Sequence, residues 1–166
     1  IPVGRGKSVG GNWHPALDRI AGQWQVSGIL TLRSGFPLTL SALDRSGTGG
    51  GAPRPDRIAD GVGAKQVGPG TAWFDTKAFR QPVAGTFGSC GVGVVRGPGL
   101  RTADVSLQKT IPVTETKRFE FRVEIFNLTN TPNFNVPVVN VNAVNFGEIT
   151  SAQKERNIQL ALKFYY

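Results

Sequence analysis

The sequence predicts an all-β fold of antiparallel, up-and-down strands, and three stretches of alternating apolar and polar residues support this prediction. Alternation with a period of two places apolar side chains on one face of a strand and polar side chains on the other. The three stretches begin at Trp24, Arg118 and Asn157. The 166 residues are enough for one domain with a core of its own.

The last of these stretches has the clearest alternation. Its polar side is formed by Asn157, Gln159, Ala161, Lys163 and Tyr165. Its apolar side has no polar interruption and consists of Ile158, Leu160, Leu162, Phe164 and Tyr166. A strand with one face in lipid, the other in a wet lumen and an aromatic residue at the interface has this composition. The pattern therefore predicts a strand of an outer-membrane β-barrel.

The stretch from Arg118 to Ile125 predicts a second strand with two distinct faces. We expect its apolar residues to face lipid: Phe119, Phe121, Val123 and Ile125. We expect its charged residues to form a lumen-facing ladder of alternating sign: Arg118, Glu120, Arg122 and Glu124. Opposite charges so placed pair along and across strands, and each exposed pair contributes a few tenths of a kcal/mol. An ordinary solvent-facing antiparallel sheet is the alternative interpretation of this ladder.

The order of the connections supports a barrel. Strands are predicted near residues 1–5, 23–34, 100–111, 117–128 and 155–166. A long loop over 42–99 contains 14 of the 22 glycines, a short turn covers 113–116, and a second loop covers 129–153. Outer-membrane barrels alternate long extracellular loops with short periplasmic turns in this way. Within the connections, residues 16–21 predict one helical turn and Asp75 predicts an N-cap.

Several other classes of protein are not favoured. No apolar run approaches the ~18 residues of a membrane-spanning helix. The net charge of +8 is spread along the chain, so no nucleic-acid partner is predicted. Cys90 and His14 are each the only residue of their type, and Asp44, Asp56 and Asp60 lack the spacing of a calcium loop. Without a metal cluster or a nucleophile–base pair, we predict no metal, no cofactor and no enzyme activity.

Short motifs follow one another along nearly the whole chain: residues 23–28 and 34–37, Trp73-Phe74-Asp75, Ala78-Phe79, residues 85–88, 96–99, 126–130 and 132–134, Phe146-Gly147, and 158–166. This ordered set resembles the barrel of TonB-dependent outer-membrane receptors of the Oar-like kind. The resemblance implies a barrel of ~22 strands closed around an N-terminal plug. This chain would supply four or five strands at the C-terminal end, with the plug and the other strands upstream. The absence of methionine also predicts a fragment.

The same resemblance implies a function, partners and a location. The chain would form channel wall and extracellular loops for substrate uptake in the bacterial outer membrane. Its partners would be outer-membrane lipid and, indirectly through the plug, the TonB system. The barrel-assembly machinery would recognise an alternating C-terminal signal that ends in an aromatic residue: Ile158, Leu160, Leu162, Phe164 and Tyr166.

Two alternatives follow from the open edges of a partial barrel. Unpaired backbone groups at a strand edge are a template for pairing with another chain. If the chain exists alone, we expect self-association through these edges, as in an extracellular filament or surface subunit. The other alternative is a soluble ligand-binding β-sandwich, in which the apolar residues 119–125 pack against a second sheet.

Overall fold

The computed structural model describes residue 3, residues 6–63 and residues 65–166. In this part of the chain, one α-helix and a short 3-10 helix accompany eight strands. They are α1 (Pro15–Ala21), β1 (Trp24–Arg33), β2 (Pro37–Leu38), β3 (Asp56–Arg57), the 3-10 helix (Thr76–Ala78), β4 (Phe79–Arg80), β5 (Val95–Arg96), β6 (Leu100–Pro112), β7 (Arg118–Phe126) and β8 (Asn157–Tyr165). The all-β prediction is confirmed. The strand predicted near residues 1–5 falls largely outside the described residues.

The chain divides into two compact units. The sheet unit contains Ile1–Thr31, Arg101–Thr131 and Lys154–Tyr166. The loop unit contains Leu32–Leu100 and Pro132–Gln153. The two long connections predicted from the sequence therefore belong to one folded unit, although they lie far apart in the chain.

The sheet unit is built on four strands in the order β1-β6-β7-β8. Strands β6 and β7 are antiparallel and joined by the predicted turn, which is closed by hydrogen bonds from the Val113 and Thr114 N–H groups to the Lys117 carbonyl (2.9 and 3.1 Å). Strands β7 and β8 are also antiparallel and are paired along their whole length, from Arg118 opposite Tyr165 to Phe126 opposite Asn157. The long connections thus attach at one end of this sheet and the short turn at the other.

Strand β7 ends where Asn127 takes a positive φ of 52°. This left-handed conformation breaks the extended backbone, and asparagine tolerates it better than most residues. The Asn127 N–H donates to the Asp104 carboxylate at 2.8 Å, and its side-chain amide bonds both the N–H and the carbonyl of Thr131. The motif at 126–130 that carried part of the family resemblance is therefore a strand-ending turn.

The loop unit has its own hydrophobic core. The buried residues are Leu40, Phe74, Ala78, Phe79, Cys90 and Val95, with Trp73, Val94, Val139, Val141 and Phe146 packed against them. Two small antiparallel sheets, β2 with β5 and β3 with β4, hold the backbone of this unit. The prediction of Asp75 as an N-cap is confirmed, because its carboxylate accepts from the Lys77 N–H at 3.0 Å.

Helix α1 is longer than the single turn predicted from the sequence. It starts at Pro15, whose fixed φ suits the first helical position, and the His14 imidazole Nδ1 accepts a hydrogen bond from the Ala16 N–H. The only histidine therefore acts as a helix cap. None of the helices in the described residues has the length and apolar character needed to traverse a bilayer.

Candidate functional site

One side of the four-stranded sheet carries nearly all of its large apolar side chains, and we call it the apolar face. Directly opposed residues of antiparallel strands point to the same side of a sheet. The register therefore brings the predicted apolar residues of β7 and β8 together in four pairs: Phe119 with Phe164, Phe121 with Leu162, Val123 with Leu160, and Ile125 with Ile158. Strand β6 adds Val105, Leu107, Lys109 and Ile111 to the same face.

Strand β1 extends the apolar face. The Lys109 ammonium nitrogen lies 5.0 Å from the centre of the Trp24 ring, which places these two residues on the same side of the sheet. A Cβ atom built on Gly28 would lie 3.7 Å from Cγ2 of Val105, so Gly28 has the same orientation. Since alternate residues share a side, the face continues through Trp24, Val26, Gly28, Leu30 and Leu32.

The apolar face is open. The exposed fractions are 69% for Leu160 and 68% for Leu30, which lie on the two edge strands β8 and β1. A contiguous apolar surface of this kind marks contact with lipid or with another protein. The β-sandwich alternative requires a second sheet packed on residues 119–125. Phe119, near the turn end of this face, is 36% exposed, so no second sheet in the part of the chain that the structure describes is packed over it.

The opposite side of the sheet, which we call the polar face, carries the charged ladder. Arg122 is its centre: one guanidinium nitrogen lies 2.9 Å from Glu120 Oε1, and the other lies 3.7 Å from Glu124 Oε1. The Tyr165 hydroxyl donates to the second Glu120 oxygen at 3.3 Å. Arg118 stacks over the Tyr165 ring at 4.3 Å. All four predicted ladder residues are thus brought together, and their pairing runs along β7 and across to β8.

The ladder makes only a modest contribution to stability. The Arg122 side chain is 35% exposed, and exposed ion pairs contribute about 0–1 kcal/mol each. We expect Arg122→Gln to lower the free energy of unfolding by no more than about 1 kcal/mol, measured by guanidinium titration of the complete protein in lipid vesicles. Ser106→Gln, on the same face of β6, is the control. A loss of several kcal/mol would mean that the pairs are shielded from water.

Five residues of the motifs that carry the family resemblance lie in the core of the loop unit: Trp73, Phe74, Ala78, Phe79 and Phe146. Phe74, Phe79 and Phe146 make three edge-to-face contacts, with ring centroids 5.9, 5.3 and 6.4 Å apart, and we call them the aromatic cluster. The Trp73 indole N–H donates to the Arg96 carbonyl at 2.7 Å, and the Trp73 backbone N–H donates to Gly147 at 2.9 Å. These contacts join residues from both long connections.

The loop unit also contains a pocket of about 240 Å³. It lies between the glycine-rich segment Gly50–Gly51 and the segment around Phe87, and it is lined by Asp44, Arg45 and Arg54 among others. The Ser46 hydroxyl and backbone N–H donate to the Asp44 carboxylate at 2.7 and 2.9 Å, and these bonds lower the pKa of Asp44. The predicted loop thus has an ordered, charged cavity.

The other candidate residues do not form a reactive centre. The Cys90 thiol is buried in the core of the loop unit, and this burial raises its pKa. A raised pKa leaves little of the reactive thiolate. Asp56 pairs with Arg80 (3.7 Å) and accepts from the Ser89 N–H. Among the residues that the structure describes, no group of three His, Cys, Asp or Glu side chains is placed to hold a metal ion.

The residues of the proposed assembly signal divide between the strand and its end. Ile158, Leu160, Leu162 and Phe164 lie in β8 on the apolar face, and Tyr166 follows the strand with its ring 6.3 Å from that of Phe164. Their recognition by assembly machinery stays a prediction.

Sequence reasoning missed Lys109. It is a buried lysine on the apolar face, and its ammonium donates to the Gly22 carbonyl at the end of α1. The available signal was the interruption of an otherwise apolar series at positions 105, 107, 109 and 111.

Comparison with known proteins agrees with this two-faced sheet. A family model described as an outer membrane beta barrel domain matches residues 1–159 of the chain. No curated protein and no solved structure matches the chain significantly.

Proposed function

The chain belongs to the outer membrane beta barrel domain family and is part of a bacterial outer-membrane β-barrel protein, and from this premise we propose that it forms wall and external loops of a TonB-dependent receptor. The ordered set of motifs that resembles Oar-like receptors supports this finer assignment. The proposed activity is substrate uptake, with no chemical step and no cofactor.

The observation that carries the proposal is the division of the sheet into an open apolar face and a charged polar face. Lipid is the solvent that such an apolar face requires, because its exposed leucines and isoleucines would be unfavourable in water. The polar face then lines a hydrated lumen, where Arg118, Glu120, Arg122 and Glu124 contact water and a plug. The connections support this orientation, since the 113–116 turn is short and the other two connections are long.

The loop unit would then face the medium. Its aromatic cluster holds two distant segments in one fold, which provides a stable surface for capturing a substrate. The pocket lined by Arg45 and Arg54 is the proposed capture site. Its two guanidinium groups outnumber the single Asp44 carboxylate in the lining and so favour an anionic substrate. Energy for uptake would come from the TonB system acting on the plug. The barrel-assembly machinery would recognise the C-terminal end of strand β8.

The test uses the complete natural protein that contains these residues. We expect it to fractionate with outer membranes and to migrate faster in gel electrophoresis before boiling than after, as a closed barrel does. We also expect it to bind the purified periplasmic domain of TonB, measured by calorimetry.

The outcomes separate the two parts of the proposal. Outer-membrane fractionation without TonB binding would assign the barrel to a different transport class. A soluble species, or one that polymerises outside the cell, would overturn the proposed function and favour assembly through the open edges of β1 and β8.

A further inference from the structure

Helix α1 is amphipathic although it is short. With 100° between successive residues, its apolar side chains form one side and its charged side chains the other. The apolar side consists of Ala16, Leu17, Ile20 and Ala21. The charged side consists of Asp18 and Arg19, next to Pro15.

The orientation of α1 is the reverse of that expected for a helix in water. Pro15, Asp18 and Arg19 line a pocket of about 140 Å³ together with Lys109 and Thr110 of β6, so the charged side of the helix faces the sheet. Leu17 and Ile20 point away from it, with exposed fractions of 55% and 71%. A helix at the surface of a soluble protein turns its apolar side to the core instead.

Three contacts place α1 where the apolar face ends. The Lys109 ammonium donates to the Gly22 carbonyl, and the Trp24 indole N–H donates to the Ile20 carbonyl at 3.2 Å. Lys109 also lies over the Trp24 ring. Because Lys109 is opposite Phe121 in the register, this group sits near the end of the sheet that carries the 113–116 turn.

These contacts explain how a lysine is accommodated on the apolar face. Its aliphatic stem follows the apolar surface while its charge reaches the carbonyl at the C-terminal end of α1, where the helix dipole is negative. Lys109 is only 5% exposed as a result. Lysine and tryptophan paired in this way are typical of the boundary between lipid and water.

We propose that α1 is an interfacial anchor, which inserts Leu17 and Ile20 into the lipid boundary at the turn end of the sheet. Lipid is the partner because the exposed apolar side of α1 is joined to the apolar face through the Trp24 hydrogen bond to Ile20, and the proposed function places that face in lipid. The inference rests on the membrane setting of the sheet in the proposed function. In this role α1 helps to fix how deeply the barrel sits in the bilayer.

The test places single cysteines in the complete protein in a Cys90→Ala background, each labelled with the polarity-sensitive fluorophore NBD. The variants are Leu17→Cys and Ile20→Cys, with Arg19→Cys as the matched control on the charged side of α1. Val123→Cys reports on the apolar face of the sheet. The protein is reconstituted in phosphatidylcholine vesicles with and without a nitroxide on the acyl chains.

We expect the nitroxide to reduce emission at positions 17 and 20 by about half, because an interfacial helix buries its apolar face ~5–10 Å deep. Emission at position 19 should change little. Quenching at position 123 without quenching at 17 and 20 would show that the sheet faces lipid but that α1 does not. This result overturns the proposed role of α1 and leaves the proposed barrel unaffected. Blue-shifted but unquenched emission at 17 and 20 means that a protein covers α1, which also overturns it. No quenching at 123 refutes the membrane setting and the anchor together.

Discussion

Replacing Leu160 by arginine should lower the free energy of unfolding in the membrane by about 2–4 kcal/mol, the cost of a lipid-facing arginine near the bilayer midplane. Leu160 is paired with Val123 near the middle of β7 and β8, and its side chain is largely exposed on the apolar face. An arginine there has no water and no partner carboxylate. The measurement is guanidinium unfolding of the complete protein in phospholipid vesicles.

The neighbouring residue provides the matched control. Gln159 precedes Leu160 in β8, points to the polar face and lies opposite Glu124. An arginine at Gln159 meets a carboxylate in a hydrated setting, so we expect Gln159→Arg to change the stability by less than about 1 kcal/mol. Equal costs at the two positions would mean that both faces of the sheet meet the same solvent, which contradicts the barrel.

The second large effect is expected in the loop unit. Phe74 is 3% exposed and contacts both Phe79 and Phe146 edge to face. Phe74→Ala removes a buried aromatic side chain and leaves a cavity, which costs about 3–5 kcal/mol. Because the cluster joins both long connections, we expect this loss to open the loop unit locally and to leave the sheet unit folded.

Hydrogen exchange of the complete protein measures this effect. The Trp73 N–H bonds to Gly147 and the Val138 N–H bonds to Glu148, both inside the loop unit, so their protection reports its opening free energy. Phe87→Ala is the control, because Phe87 is 71% exposed and its removal should cost no more than about 0.5 kcal/mol. Unchanged protection in Phe74→Ala would show that the long connections are held by other contacts.

The strands of the sheet were predictable from the sequence because a period of two is a local property. Each long strand repeats its apolar residues often enough to define a face without knowledge of its neighbours, as in residues 119–125 and 158–164. The short connection at 113–116 and the cap at Asp75 were visible for the same reason, since their signals extend over a few residues.

The loop unit was not predictable in the same way. Its segment 42–99 is rich in glycine and has no apolar period, and this composition predicts a loop. Its stability depends on contacts such as that between Phe74 and Phe146, which lie far apart in the chain. No local pattern encodes such a pairing, although Phe74 and Phe146 both belong to the motifs that resemble the receptor family.

Local sequence alone specifies the strand class, the two faces of each long strand and the alternating signs of the ladder at Arg118–Glu124. Three features emerge only in the folded chain: the pairing of β6, β7 and β8, the packing of the two long connections around the aromatic cluster, and the coverage of Lys109 by Trp24 and the end of α1. The difference lies in how far apart in the chain the interacting residues are. Side-chain alternation is set by the backbone of one strand, whereas register, core contacts and helix orientation depend on residues that meet only after the chain has folded.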